Sequence, residues 1–430
     1  MKLKVFNSHW RGRMRRLNWP GRLAVTVMLL VSLGATYEAV IWLGYRHVRE
    51  QIRNWHIASA SDCLELLQKC SFDCIETRLL LARVARHEGR MKDVRANLIS
   101  ARGLGCPDQR ILFEQSLTLA YEGRMSDVER QLPGFLAGDP DDLPEVCNAF
   151  VTGYLRQFRF EDARRLIDVW QRDYPDDSQP GFHSGCIFQF EMRLNEAIVA
   201  FESALAIAPH RVEIRERLAV VLVQNLDFAR AMNHYQWLLK LQPTNAEWLV
   251  GYGICLFRSG DAVRAREVLA EAVTVAPKHR EARLALVELA ADAKQYDDAL
   301  RMARELYSET PNDYSTRYVL VRMLRTSGRM DEAVMHDEWI KKAEESFREV
   351  SSLTDQANRQ PGDPRIRYEI AIRLIRYAKY AEAVGWLRAA HQLDPDSLEI
   401  LDRLVEACEL AGFDELATFY RRAHSAVVSG

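Results

Sequence analysis

Three kinds of chemistry have no footing in this sequence. There is no His-Glu-x-x-His, no Gly-x-Ser-x-Gly and no Gly-x-x-x-x-Gly-Lys-Ser/Thr, and the eleven histidines are scattered. Zinc-peptidase, serine-hydrolase and P-loop constellations are thereby excluded, and neither an enzyme activity nor a cofactor is expected. Surplus charge is also scarce, the formal net value being only −2. Seven basic side chains and no acid fall in the first 22 residues, and the 51 left of 58 basic groups face 60 acidic ones elsewhere. A duplex-binding protein needs a basic stripe on its folded face to neutralise phosphates, so nucleic acid is not expected as a partner. With hydrophobic residues at 48%, the chain lacks the composition of a disordered one.

What is present begins with Leu23 to Tyr45, LAVTVMLLVSLGATYEAVIWLGY, 23 residues with one charge at Glu38. At about 1.5 Å per residue this run crosses a hydrocarbon core of about 30 Å with length left for tilt. Glu38 lies in its second half and reads as a carboxylate near the far headgroups, a pore or relay role being the alternative. Tyr37, Trp42 and Tyr45 suit the same interface. The basic tail outweighs Arg46, Arg49 and Arg53 after the run, which puts the N-terminus in the cytosol and the rest across the membrane, periplasmic or extracellular in a bacterium. A cleaved signal peptide with Leu33 and Ala35 at the cleavage site is the competing reading, and reversed topology a third.

Eight cysteines are present. Cys63, Cys70 and Cys74 form a tight group that in an oxidising compartment is able to give one disulfide; a three-thiolate metal site is the alternative, but no fourth ligand follows at finger-like spacing, so no metal is expected. The other five read as small buried hydrophobes. The acidic clusters Asp139-Pro140-Asp141-Asp142 and Tyr174-Pro175-Asp176-Asp177 read as helix caps in preference to calcium loops.

Internal repetition is the strongest signal. Ala197, Phe201, Ala204 and Pro209 recur as Ala231, Tyr235, Leu238 and Pro243, as Ala265, Leu269, Ala272 and Pro277, and as Ala299, Ala303, Leu306 and Pro311, each displaced by 34 residues. The first frame position extends through Val94, Val128, Ala163, Ala197, Ala231, Ala265, Ala299, Ala333, Ala383 and Ala417, with steps of 34 or 35 and a single step of 50. Steps of four and three lie on one face of a helix, and a proline marks a point by which that helix has ended. Upstream, Gly185, Ala219 and Gly253 leave room for a partner helix, so each unit is a helical hairpin that buries its apolar face only by stacking.

In its period and in its small, large, small, proline pattern the chain resembles the tetratricopeptide repeat (TPR) family over about residues 75 to 425. It departs from the family where Arg215 and Arg283 replace a large apolar residue and Val94 and Val128 replace alanine. The resemblance implies an all-α fold: a right-handed TPR-type α-solenoid of about nine to ten helix-turn-helix repeats, preceded by one transmembrane helix. The expected segments are a basic cytosolic tail (1–22), the span (23–45), a helical connector (46–74), a first block (75–345), a helical insertion (346–362) and a second block (363–425). The insertion reads as an elongated second helix, continuous or broken near Ser351-Ser352, that protrudes from the stack as a spacer or as a docking ridge.

The resemblance also implies an interaction scaffold that grips an extended peptide or helix along the first helices of its repeats. In the family frame that face carries Phe182, Gln189, Phe190, Val220, Gln224, Phe257, Arg258, Glu288, Tyr318, Arg322, Arg325 and Tyr368. Phe182, Phe190, Phe257, Arg258, Tyr318, Arg322, Arg325 and Tyr368 are the candidate partner-binding residues, with acidic partner character expected near Arg322 and Arg325. The positions of the family's chaperone-carboxylate clamp hold Glu216, Val220, Val250 and Ile254, so that kind of adaptor is not expected. The function expected is a membrane-anchored scaffold in assembly or biogenesis of an envelope or secretion complex, or alternatively an accessory subunit binding glycan or lipid precursors for a membrane enzyme.

Overall fold

The computed structural model describes residues 40–70, 74–360 and 362–429. The tail, most of the expected span (23–39) and Glu38 lie outside the described residues, and among these no helix is long and apolar enough to cross a membrane. All regular structure described is helical, and the chain divides into a compact unit ending at Thr118 and another beginning at Leu119.

The first unit is built from α1 (40–53), α2 (Ile57–Cys70), α3 (Ile75–His87), α4 (Met91–Gly103) and the start of α5 (Asp108–Tyr121). Tyr45, Val48 and Ile52 lie at helical spacing on one face of α1 and are buried with Leu64, Leu80 and Val84. Tyr45 is therefore not the interfacial aromatic that the sequence suggested. It is 9% exposed, its hydroxyl 2.6 Å from Thr77 Oγ1 and 3.0 Å from Cys74 Sγ, as a buried phenol requires. The end of the apolar run is thus a core element of a folded unit.

In the second unit the hairpins follow as α8 (Leu143–Arg156) with α9 (Phe160–Asp173), preceded by α6 (Met125–Val128) and α7 (Leu132–Leu136). Then come α10 (Gln179–Phe190) with α11 (Leu194–Ile207), α12 (Val212–Gln224) with α13 (Phe228–Leu241), and α14 (Ala246–Arg258) with α15 (Ala262–Val275). The last four pairs of the fold open with α16 (Arg280–Asp292) and α17 (Tyr296–Glu309), then α18 (Tyr314–Thr326) and α19 (Met330–Arg359). They close with α20 (Pro364–Arg376) and α21 (Tyr380–Leu393), then α22 (Leu398–Leu410) and α23 (Asp414–Ser429). Every first frame position, from Val94 to Ala417, is at most 1% exposed. The frame thus marks the contact between paired helices. The second hairpin has its second helix broken: α6 and α7 are separated by a 3-10 turn over Glu129–Gln131, because Pro133 has no N–H to continue the ladder.

The turn inside each hairpin uses a left-handed residue, and these residues keep the same register: Gly89, Gly123, Phe158, Met192, Leu226, Gly260, Lys294, Gly328, Ala378 and Gly412 all have positive φ. Half are not glycine, and an L-residue in this region is strained by about 1–2 kcal/mol. Lys294 is exposed, so Lys294→Gly is expected to raise stability by about 1 kcal/mol in denaturant titration. A lower midpoint would contradict the strain argument.

The step of 50 is α19, one continuous 30-residue helix. Its first half pairs with α18 and puts Ala333 and Ile340 into the core of the preceding hairpins. Its second half is covered by α20, with Ala357, Val350 and Leu353 packed beside Ile366 and Ile370. The added residues therefore do not protrude bare. The handover is marked by Phe347, whose ring is 5.4 Å from both Tyr314 of α18 and Tyr377 after α20.

Candidate interaction face

From α8 to α18, the first helix of each hairpin also approaches the first helix of the next, whereas the second helices lie farther apart. Side chains exposed on first helices therefore share one crowded inner face. Bonded contacts link successive first helices along it and, beyond it, α20 to α22. Gln189 Nε2 donates to Gln224 Oε1 at 3.1 Å; Arg258 and Arg322 both hold Glu288, at 3.0 and 3.1 Å; and Tyr368 donates to Glu399 at 2.8 Å.

The candidate residues fall into three groups on this face. Phe182 and Phe257 are partly buried against the core, each under a guanidinium: Arg211 lies 5.5 Å from the Phe182 ring and Arg258 5.2 Å from that of Phe257. Arg258, Arg322, Arg325 and Tyr368 are presented but already paired, Arg325 with Asp337 at 2.6 Å. Arg322 and Arg325 each hold one of the chain's own carboxylates while staying about half exposed, so an acidic partner there competes with Glu288 and Asp337. Tyr318 is 47% exposed, with no ion pair or hydrogen bond to its hydroxyl among the described residues, and it is stacked on Tyr314 at 5.9 Å. Phe190 belongs elsewhere: its ring lies against Phe158, Phe160 and Trp386.

Sequence reasoning missed a buried polar cluster beneath the face. His183 Nε2 is 3.0 Å from Asn148 Oδ1; Gln179 Nε2 is 3.2 Å from the same oxygen; and Arg211 Nη1 donates to Gln179 Oε1 at 2.6 Å. All four residues are at most 5% exposed. The available signal was polar residues at i and i+4 of α10 where the repeat frame tolerates apolar ones. Burial, and then the Arg211 charge, hold His183 neutral, its pKa pushed down to about 3; His234 is pushed down to about 4 by burial and by Arg215 and Arg230. An unfolded histidine titrates near 6.5, so this stabilisation is complete above that pH and is lost as pH falls from there toward the folded values. The urea midpoint of the second unit is expected to fall between pH 7 and pH 5, and to fall less in His183→Gln. An equal pH slope in both proteins would exclude His183 as the source.

The departures from the family frame are also explained. Arg215 lies 4.1 Å from the Trp237 ring centroid, and Arg283 grips Glu309 in a two-pronged pair at 2.7 and 2.9 Å. A planar guanidinium thus spans two helices where an apolar side chain otherwise would. The acidic clusters act as caps: Asp139 Oδ1 accepts from the Asp141 amide and Asp177 Oδ1 from the Gln179 amide, both at 2.9 Å.

No group of side chains able to hold a metal is found among the described residues. Cys63 and Cys74 are free; the side chain of Cys70 lies outside those described. Cys147, Cys255 and Cys408 are buried thiols pushed up to about 12, 12 and 11 by burial, which fits small core side chains rather than reactive ones.

Residues 215–335 match a family model described as the cilia and flagella-associated protein 70 middle TPR-like domain. No curated protein matches the chain in sequence. Solved structures similar to it include PilW, a widely conserved type IV pilus biogenesis factor, 18% identical, covering 46% of this chain and 91% of its own, with a TM-score of 0.41. A tetratricopeptide repeat protein from Parabacteroides merdae is 16% identical, covering 67% and 98%, with a TM-score of 0.34. MamA from Desulfovibrio magneticus is 17% identical, covering 39% and 94%, with a TM-score of 0.37.

Proposed function

We infer that this array of TPR-like hairpins is a protein-interaction scaffold, tethered to a membrane by the apolar run that begins at Leu23, that holds a partner polypeptide along the inner face of its first helices. The observation that carries the reading is the face itself: amides, paired ions and phenols presented in series by successive first helices. Paired ions and amides offer donors and acceptors without a net field, which suits an extended peptide or helix of mixed composition better than a strongly charged one. Tyr318, large, rigid and half exposed, is the anchor. The work of such a scaffold is the assembly of an envelope or secretion complex on the far side of the membrane, with the basic tail left in the cytosol.

Two measurements test this. The full-length protein is expected to stay with membranes through alkaline carbonate extraction, and its array to survive protease added from the cytosolic side; release by carbonate removes the anchor, and digestion reverses the orientation. Changing Tyr318, Arg322 and Arg325 together to Ala is expected to remove co-purifying partners from detergent-solubilised membranes. An unchanged set of partners moves the binding face away from α18.

A further inference from the structure

The second unit touches itself across most of its length. Phe158, at the tip of the α8–α9 hairpin, stacks on Trp386 of α21 with ring centroids 3.9 Å apart and planes 5° from parallel. Phe160 and Phe190 complete the cluster, Phe190 lying 5.5 Å from Phe158 and 6.4 Å from Trp386. Beside them, Arg388 Nη2 donates to the Glu122 carbonyl at 3.4 Å across 266 residues of chain. Gly385 leaves the room this contact needs: a Cβ there would come within 3.4 Å of the Phe158 ring.

The contact has the marks of a weak one. Only hairpin tips and one helix face take part, without the helix-length packing that joins successive hairpins. On that helix Arg388 Nε and Gln392 Oε1, whose side chains reach Glu122 and Gly123, are buried with no hydrogen-bond partner, a cost that favours separation and hydration. Arg156, at the same tip, is half-buried, and burial together with the Arg388 charge holds its pKa down. Opposing this are the aromatic contacts and the one long hydrogen bond from Arg388 to the Glu122 carbonyl. Phe158 adds a second tension, since it occupies a left-handed turn (φ 57°) where glycine would be unstrained.

We propose that α21 is an intramolecular latch: its Trp386 docks on the Phe158, Phe160 and Phe190 tips to close the second unit on itself, in equilibrium with an open form in which this seam is hydrated. The 30-residue α19 is the arm that carries α20 and α21 to the seam. The latch stands whether or not the inner face holds a protein.

The test uses the full-length protein with two spin labels on noncanonical residues at exposed Arg124 and Glu382, on the two sides of the seam. The wild type is expected to give a short, narrow distance component. Phe158→Gly is expected to shift the distribution to longer, broader distances while the helical circular dichroism is unchanged, because the glycine relaxes the turn as it removes the ring. Trp386→Ala is expected to do the same; should that variant unfold, Phe158→Gly alone decides. The same distribution in wild type and Phe158→Gly, or a long and broad one in the wild type, would overturn the latch.

Discussion

Replacing Glu114 by alanine is expected to cost the first unit about 3–5 kcal/mol, the scale on which breaking a buried ion pair destabilises. Glu114 is 2% exposed on α5 and receives Arg86 Nη1 at 2.9 Å and Arg83 Nε at 2.6 Å, both from α3; the Arg86 side chain is itself 1% exposed. The carboxylate is the group that makes burial of Arg86 tolerable. Without it a guanidinium remains in the core with its charge partner on α5 gone. Glu114→Gln keeps an acceptor but no charge and is expected to lose less. Hydrogen exchange read across α3, α4 and α5 checks this: protection falls there in Glu114→Ala and stays unchanged in α12 to α16. Equal protection in variant and wild type would mean that the pair is solvated and of little consequence.

The second large effect concerns the helix contact that defines the repeat. Phe201→Ala is expected to destabilise by about 3–5 kcal/mol, since Phe201 is fully buried against α10. Its ring fills the space over Gly185, where an added Cβ would approach ring carbons at 2.6 to 2.8 Å. Gly185→Ala alone is therefore expected to destabilise by about 1–3 kcal/mol through overpacking. In the Phe201→Ala background the space is free, and the same Gly185→Ala change is expected to stabilise by up to about 1 kcal/mol through helix propensity. A double-mutant cycle by urea denaturation reads the sign reversal. Additive effects would show that the two helices are not held by this pair.

The hairpins were legible in the sequence because one helical face must stay apolar and small at every copy, and a period of 34 residues records that demand over most of the chain. The frame residues from Val94 to Ala417 are all buried as their spacing required. The left-handed turns keep the same register, yet half of them were hidden, since Phe158, Met192, Leu226, Lys294 and Ala378 do not announce a turn as glycine does. The break at Pro133 follows from a local rule that the period overrode. The candidate face was legible as positions and not as chemistry. Arg322 and Arg325 stand where the frame places them, but Glu288 of the preceding first helix and Asp337 of α19 neutralise them, and those partners come from neighbouring helices whose side-chain directions spacing does not supply. The surroundings of Phe190 were hidden for the same reason: it is 41% exposed, but its ring neighbours Phe158 and Trp386 come from before and far after it in the chain. The buried cluster around His183 left almost no trace, because its members come from two first helices (Asn148; Gln179 and His183) and from Arg211, the residue capping a third.

The central claim is that the first-helix face, and not the outer surface of the second helices, holds a protein. Site-specific photo-crosslinking in native membranes tests it most directly. A benzoylphenylalanine at Tyr318, 47% exposed on α18, is compared with one at Val263, 73% exposed on α15. A discrete protein adduct from position 318 and none from 263 is the predicted result. An adduct from 263 with none from 318 would contradict the account.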